Sequence, residues 1–156
     1  MKFVLYNLAT AKEAWADEAS ELYKKKISFF TPFEIQTLKA KKSARDDADF
    51  KRQEESALIL KNIQSDDYVI VFDERGQTLD SLQFAKKVEN ILGSSKKRAI
   101  FIIGGAFGVN EDVRKRADLK VALSPMVMNH LMAQTMSLEQ IYRAFTIIKK
   151  IPYHNI

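Results

Sequence analysis

The 156-residue chain contains no cysteine and only two histidines. Disulfides, thiolate metal sites and cysteine nucleophiles are therefore excluded, and two histidines alone do not suggest a zinc site. Long hydrophobic runs are also missing, because no stretch approaches the roughly 18 to 20 apolar residues of a membrane span. The N-terminus shows no charged leader followed by a cleavage site. We therefore expect a cytoplasmic protein with no metal and no membrane association.

Basic residues outnumber acidic ones by 25 to 20, which gives a formal net charge of +5. Such an excess favours a polyanionic partner such as nucleic acid, although many proteins without one carry a similar charge. The length and the 46% hydrophobic content are sufficient for one packed core. The sequence therefore predicts that residues 1–156 form a single domain.

Apolar stretches with β character alternate with amphipathic stretches along the whole chain. Strands are predicted at residues 2–8, 33–38, 68–72, 98–103 and 120–123. Helices are predicted at residues 11–27, 53–63, 82–92, 110–117 (with Asn110 as its cap) and 132–150. The runs YVIVF and RAIFII are typical of strands buried on both faces, and a helix lies between them. This pattern predicts an α/β fold with a mostly parallel sheet flanked by helices.

The first predicted helix and the polar tract at residues 39–55 have sequence patterns that predict how they are exposed. The first predicted helix has apolar residues at spacings of three and four, which predict its buried face: Ala14, Trp15, Ala19, Leu22, Tyr23 and Ile27. Residues 39–55 form the most polar tract, which we interpret as a mobile loop that leads into a solvated helix. The alternative is that its basic residues contact phosphates: Lys39, Lys41, Lys42, Arg45, Lys51 and Arg52.

Ligands of parallel sheets bind at the carboxyl ends of the strands, which directs attention to three loops. The first begins with Asp73 and Glu74, carboxylates that could accept bonds from a ribose or an amine, and Gly76 permits a tight turn. The second, residues 104–108, is rich in glycine and could expose backbone N–H groups to a ligand. It fits neither the GxGxxG fingerprint nor a P-loop.

The third loop follows the last predicted strand. Leu123, Met126 and Met128 could form the walls of a pocket for an adenine ring, or the methionines could simply fill the core. His130 lies where this loop enters the last helix and is either a capping residue or an acid, base or phosphate ligand. Glu139 and Arg143 are four residues apart, which favours an ion pair along that helix.

Taken in order, these motifs resemble the SPOUT-class α/β-knot methyltransferases, and specifically the small pseudouridine N3-methyltransferases of large-subunit ribosomal RNA. The resemblance extends from end to end of the chain. It rests on Asp73 with Gly76, Ile103-Gly104-Gly105 with Gly108, Ala122-Leu123-Ser124, His130, the run Glu-Gln-Ile-Tyr-Arg-Ala-Phe at 139–145, and Pro152-Tyr153-His154.

The resemblance implies a single-domain fold with a C-terminal trefoil knot that forms the site for S-adenosylmethionine. The residues that would hold this cofactor are Phe72, Gly104, Leu123, Ser124, Pro125, Met126, Val127 and Met128. His130 would act as base, Arg143 as phosphate clamp, Tyr153 as stacking platform and His154 as a second polar contact. The resemblance further implies a homodimer whose active sites borrow residues from the partner, and a substrate in ribosomal RNA, within assembled ribosomes.

The chain departs from the family pattern at four positions. Asn129 stands where the family usually has proline, Gln134 where it has arginine, Leu8 where it has glycine and Gln77 where it has lysine. Loss of a basic residue bears on substrate identity and on RNA affinity. Two alternatives therefore remain open: a catalytically weak knotted protein that binds RNA or ribosomes, and a generic nucleotide-binding α/β domain.

Overall fold

The structure is a computed structural model that describes residues 1–8, 11–41 and 47–155. Within these residues the strands are β1 (Lys2–Asn7), β2 (Phe33–Thr37), β3 (Tyr68–Thr78), β4 (Arg98–Ile103) and β5 (Leu119–Ala122). They form one sheet in the order β2-β1-β4-β3-β5, and every neighbouring pair is parallel. The predicted α/β class and parallel sheet are confirmed.

Helices pack on both faces of this sheet. They are α1 (Ala14–Ser28), α2 (Ala48–Asn62), α3 (Ser81–Leu92), α4 (Glu111–Arg116) and α5 (His130–Ile148). On one face, α1, α3 and α5 cover a cluster in which Phe3 contacts Phe101 and Phe145. On the other face, Ile59 of α2 and Val113 of α4 pack on β1, β3 and β4. Helices cover both faces of β4, which explains why its sequence contains a continuous apolar run.

Helix caps account for several differences from the predicted boundaries. Helix α2 begins at Ala48 rather than at residue 53, because the Asp47 carboxylate accepts a hydrogen bond from the backbone N–H of Phe50 at 2.8 Å. Helix α5 begins at His130, two residues before the predicted start, because Asn129 caps it. The predicted cap of α4, Asn110, is confirmed. Strand β5 ends at Ala122, which leaves Leu123 in the loop that follows.

The predicted buried face of α1 is partly wrong, and the helix begins at Ala14 rather than at residue 11. Ile27 is buried, but Trp15 and Leu22 are 44% and 50% exposed. Ala16 and Ser20 face the protein instead. Trp15 and Leu22 are seven residues apart and therefore lie on one line along the helix. Helix α1 thus presents an apolar stripe that this chain does not cover.

Strand β3 contains a bulge where the sequence predicts a turn. Phe72 and Gln77 both lie opposite Val121 of β5, so residues 73–76 are extra residues on β3. The expectation that the strand ends at Phe72 is therefore wrong. Gly76 lies directly on the backbone of β5, where a Cβ atom would be 2.5 Å from the nitrogen of Val121. Bulges re-aim side chains at sheet edges, and this one directs residues 73 and 74 towards the cleft described below.

The polar tract at 39–55 falls partly outside the described residues, which exclude Lys42 and Arg45. Lys39 and Lys41 are exposed, and Lys51 and Arg52 belong to α2. The tract does lead into a helix with a largely hydrated surface, as predicted.

No helix in the described ranges is long and apolar enough to cross a membrane. Nor do three or more His, Cys, Asp or Glu side chains of these ranges gather where they could hold a metal ion.

Candidate active site

A cleft opens at the C-terminal edge of β3, β4 and β5. Phe72 and Ile103, from the ends of β3 and β4, form apolar walls, and Ala133 of α5 closes one side. The loop after β5 supplies the remaining apolar wall: Leu123, Ser124, Met126, Val127 and Met128. Of the residues predicted to hold a cofactor, only Gly104 and Pro125 do not line this cleft. The strand ends of a parallel sheet thus bring together segments that are 50 residues apart in sequence.

The cleft is small because the loop after β5, which forms one of its walls, extends into solvent. Its volume is about 140 Å³, whereas pockets for cofactors usually measure about 300–1,000 Å³. Met126 and Val127 are 78% and 90% exposed. Within the loop, the Ser124 hydroxyl accepts a hydrogen bond from the backbone N–H of Met126 at 2.9 Å. A complete pocket therefore requires this loop to close over a ligand or against a second molecule.

Two carboxylates from the β3 bulge also line the cleft. Asp73 is paired with Arg114 of α4, with 2.9 Å between Oδ2 and Nε. Glu74 is exposed at the rim. The predicted role of accepting bonds from a ribose or an amine therefore suits Glu74 better than Asp73, whose charge is balanced by an arginine.

The glycine turn after β4 is crowded by protein atoms. A Cβ atom at Gly104 would be 2.9 Å from the carbonyl carbon of Gly108, and one at Gly105 would meet the carboxylate of Glu55. Gly108 has φ of +73°, and its N–H donates to the oxygen of Gly105 at 3.0 Å. The packing of the turn therefore requires glycine at position 104, whereas at position 105 the neighbouring atoms belong to the end of the Glu55 side chain.

Glu55 beside this turn was not predicted. Its Oε2 atom is buried and has no hydrogen-bond partner among the described residues. Burial raises the pKa of the Glu55 carboxyl. Its place in a highly charged helix gave no signal that it would point inward.

His130 lies at the start of α5 between the ends of β1 and β4. Its Nε2 atom is hydrogen-bonded to Oδ1 of Asn7, the last residue of β1. Burial lowers the pKa of the imidazole, and a backbone hydrogen bond with Gly104 opposes this shift only in part. His130 is therefore neutral at pH 7 and retains a lone pair.

The hydrogen bonds continue from Asn7 into the protein. Nδ2 of Asn7 donates to Oε1 of Gln134, and Nε2 of Gln134 donates to the hydroxyl of Ser20 in α1 at 2.8 Å. Gln134 is 7% exposed. The sequence did not predict these hydrogen-bond partners. One signal was available for Asn7, which is a polar residue at the end of the apolar run of β1.

A second cluster lies near the other end of α5. Arg143 Nε donates to Oε1 of Glu139 at 3.0 Å, which confirms the predicted ion pair. The hydroxyl of Tyr153 donates to the same oxygen at 3.0 Å, and the guanidinium carbon of Arg143 lies 4.7 Å from the centre of the Tyr153 ring. Arg143 Nη1 also donates to Nδ1 of His154 at 3.2 Å. The ammonium of Lys26 lies over the rings that flank this cluster.

Charge states within this second cluster follow from its contacts. The hydrogen bond with Glu139 raises the pKa of Arg143, so that the guanidinium remains charged. Burial, together with the hydrogen bonds to Tyr23 and Glu139, raises the pKa of Tyr153 and keeps its phenol neutral. The cluster therefore contains a guanidinium paired with a carboxylate, a neutral aromatic ring and an imidazole.

The structure does not bring the four predicted catalytic residues together within one chain. Arg143, Tyr153 and His154 are in contact, but His130 is thirteen residues before Arg143 on the same helix. At 1.5 Å per residue, the two backbone positions are about 20 Å apart. Within one chain, the predicted catalytic residues therefore form two separate groups near opposite ends of α5.

The sequence matches a family described as "Predicted SPOUT methyltransferase" over residues 1–154. The chain belongs to the SPOUT methyltransferase family. This SPOUT methyltransferase is 88% identical over all 156 residues to the protein named Ribosomal RNA large subunit methyltransferase H from Bdellovibrio bacteriovorus, with complete coverage of both chains. It is 36% identical over 155 residues to the protein of the same name from Syntrophotalea carbinolica, with 99% of each chain covered.

A solved structure supports the fold of this SPOUT methyltransferase. A probable methylase family protein from Haemophilus influenzae Rd KW20 superimposes with a TM-score of 0.50 and 14% identity, covering 96% of this chain and 66% of that chain. At this level of identity the likeness concerns the fold alone. The predicted family is thus confirmed by sequence and its α/β fold by the structure.

Proposed function

We propose that this SPOUT methyltransferase transfers a methyl group from S-adenosylmethionine to a base of large-subunit ribosomal RNA. The observation that carries the proposal is the 88% identity, over the full length, to a protein named Ribosomal RNA large subunit methyltransferase H. The family resemblance adds N3 of a pseudouridine as the acceptor atom and assembled ribosomes as the form of the substrate. The net charge of +5 suits a polyanionic partner.

The residues of the cleft fit the cofactor. Phe72, Ile103 and Leu123 provide apolar surface for an adenine ring, and the exposed carboxylate of Glu74 at the rim is suited to a hydroxyl or amino group. When bound, S-adenosylmethionine supplies a methyl group activated by its sulfonium. The loop at 123–128 would close over the ligand, which explains why its methionine and valine side chains are exposed in the chain alone.

His130 lies at this edge of the sheet, although it does not itself line the cleft, and we assign it as the proton acceptor. A uridine-type imide nitrogen must lose its proton as it forms a bond to a methyl carbon, so a neutral base nearby assists the reaction. Burial lowers the pKa of His130, which keeps the imidazole neutral and able to take that proton. Arg143 would then bind a phosphate, Tyr153 would stack on a base and His154 would provide a further polar contact.

These roles require two chains. Since His130 and Arg143 are about 20 Å apart on one helix, we propose a homodimer in which each cleft is completed by the partner's cluster at the end of α5. The apolar stripe of Trp15 and Leu22 on α1, with exposed Met132 on α5, offers a surface for that contact. The same closure would cover the exposed loop at 123–128.

Further features of the proposal follow from the family. We propose that residues 1–156 act as one domain with a C-terminal trefoil knot, consistent with two apolar clusters on the two faces of a single sheet. A ribosomal substrate would place the protein in the cytoplasm.

The alternative of a catalytically weak binding protein gains no support from the two departures in α5. Asn129 caps the helix by accepting a hydrogen bond from the N–H of Met132 at 2.9 Å. Gln134 is buried, so the missing arginine does not remove a cation from an RNA-binding surface. Both residues therefore have structural roles in this chain.

The test is methyl transfer from labelled S-adenosylmethionine to ribosomes and to purified ribosomal RNA, with the modified nucleotide identified by mass spectrometry. Activity should be lost in His130→Ala and in Tyr153→Ala. If sites are shared between subunits, mixing and refolding these two inactive variants should restore about a quarter of the activity, because half of the dimers are mixed and each has one intact site. No transfer by the native protein would refute the activity, and no recovery on mixing would refute the shared site.

A further inference from the structure

The hydrogen-bonded chain from His130 to Ser20 is a buried connection that the proposed reaction does not by itself require. It links three elements: α5 contributes His130 and Gln134, β1 contributes Asn7, and α1 contributes Ser20. His130 and Gln134 are four residues apart and therefore project from the same face of α5. Both side chains reach Asn7, whose register partner on β4 is Ile103, directly before Gly104. The imidazole is thus held at the ends of the two central strands.

The hydrogen bonds run in one direction from Asn7 through Gln134 to Ser20. A glutamine has both an acceptor and a donor, so it can accept from Nδ2 of Asn7 and donate to Ser20. Asn7 then presents its oxygen to His130, which favours the tautomer with the proton on the facing Nε2 atom. Gly104 makes a backbone hydrogen bond with the same imidazole. An arginine at this position would offer donors only. With arginine, Asn7 would have to turn its oxygen towards residue 134 and its NH₂ group towards His130.

We propose that Gln134 is a positioning residue for methyl transfer: acting through Asn7, it holds the His130 imidazole in the tautomer with the proton on Nε2 and the lone pair on Nδ1. The inference rests on the proposed function only in so far as His130 takes part in the reaction. Asn7, Gln134 and Ser20 form a matched set, in which the identity of one residue determines which groups the others must present.

The tautomer can be measured by ¹⁵N NMR of the imidazoles in the full-length protein at pH 8, without substrate. With only two histidines in the chain, the His130 signals are assigned by comparison with His154→Asn. We expect Nε2–H in the native protein and a mixture of tautomers in Gln134→Met, which has a similar volume but no polar group. In Gln134→Arg we expect the proton on Nδ1. Thr135→Val is the matched control, because it removes only a hydrogen bond to the helix backbone at Leu131 and should leave the signals unchanged.

Kinetics provide the second readout. Gln134→Met should lower kcat by about ten- to hundredfold while the KM for S-adenosylmethionine changes little, because an orienting contact is lost and the cofactor cleft is not. Asn7→Leu should have a similar effect. The double variant should be no slower than Asn7→Leu alone, because both residues act on His130 through the same series of hydrogen bonds. Thermal unfolding of each variant shows whether it remains folded at the assay temperature.

The outcomes separate this inference from the proposed function. An unchanged His130 tautomer in both Gln134→Met and Gln134→Arg would overturn the positioning role, whatever the activity. Rate effects that multiply in the double variant would also overturn it. If the tautomer shifts as expected but His130→Ala retains full activity, the positioning of His130 stands and its proposed role as base fails.

Discussion

Asp73 and Arg114 form an ion pair at the edge of the cofactor cleft, with 2.9 Å between Oδ2 and Nε. Only 7% of the Asp73 side chain and 14% of the Arg114 side chain are exposed. Because Asp73 belongs to the β3 bulge and Arg114 to α4, the pair fixes the bulge to the rest of the protein. Phe72, which lines the cleft, directly precedes Asp73 in the chain, so its position depends on this contact.

Arg114→Met should weaken both folding and cofactor binding. The variant leaves the carboxylate of Asp73 buried without its counter-ion, which we expect to lower the free energy of unfolding by about 3 kcal/mol. Denaturant unfolding and calorimetric titration with S-adenosylmethionine measure the two effects. Lys115→Met, at an exposed position of the same helix, is the control and should change stability by no more than about 0.5 kcal/mol. Equal effects of the two substitutions would show that the ion pair has no special role.

Gly76→Ala should displace the bulge. A Cβ atom at this position would lie 2.5 Å from the backbone nitrogen of Val121, so β3 and β5 must separate locally. We expect a loss of about 2–4 kcal/mol in unfolding free energy and weaker cofactor binding. Gly93→Ala is the matched control: its Cβ atom would have its nearest neighbour at 3.7 Å and its φ is −79°, so it should be neutral or stabilising by up to about 1 kcal/mol. Similar stabilities of the two variants would contradict the role of Gly76.

Asp67 should account for part of the acid sensitivity of the protein. Burial raises the pKa of its carboxyl, but the hydrogen bonds from Arg98 at 2.6 Å and from the backbone of Gln64 at 2.7 Å outweigh it, so the pKa lies below the ordinary 3.8. The unfolded chain therefore binds this proton more readily, and the contribution of Asp67 to stability, complete well above pH 3.8, is lost as the pH falls through the folded-state pKa.

Asp67→Asn should therefore lower the unfolding free energy at pH 7 by about 3 kcal/mol and make stability less dependent on pH in the acid range. Urea unfolding between pH 3 and pH 7 measures this. Asp66→Asn is the control, because Asp66 is the exposed neighbour of the buried Asp67. A parallel pH dependence in native protein and Asp67→Asn would rule out the assigned cause.

His130 should impose a pH dependence of its own. Burial lowers its pKa below the ordinary 6.5, so the unfolded chain binds the proton first as the pH falls. Stability should therefore decrease below pH 6.5 and cease to change from this cause below the folded-state pKa. His130→Gln should remove this part of the decrease. If His130 is the base, kcat/KM for the native protein should fall on the acid side with a midpoint below 6.5, and a midpoint above that value would exclude it.

The sequence by itself determined the class of fold and the place of the cleft. The run at 98–103 is recovered as β4 without change, because a strand that is buried on both faces needs a continuous apolar run, which residues 99–103 provide. The loop at 123–128 lines the cleft as expected, because a segment that follows a parallel strand emerges at the ligand-binding edge of the sheet. These conclusions depend on local pattern and on rules that hold for all parallel sheets.

Only the tertiary structure decided how the candidate residues are grouped. The Asn7–Gln134 contact joins residues 127 positions apart, and no local pattern encodes such a pair. The bulge in β3 depends on its register with β5, which is formed by a segment more than 40 residues later. Periodicity reports which face of an element is buried, but distances between elements arise only when the chain packs.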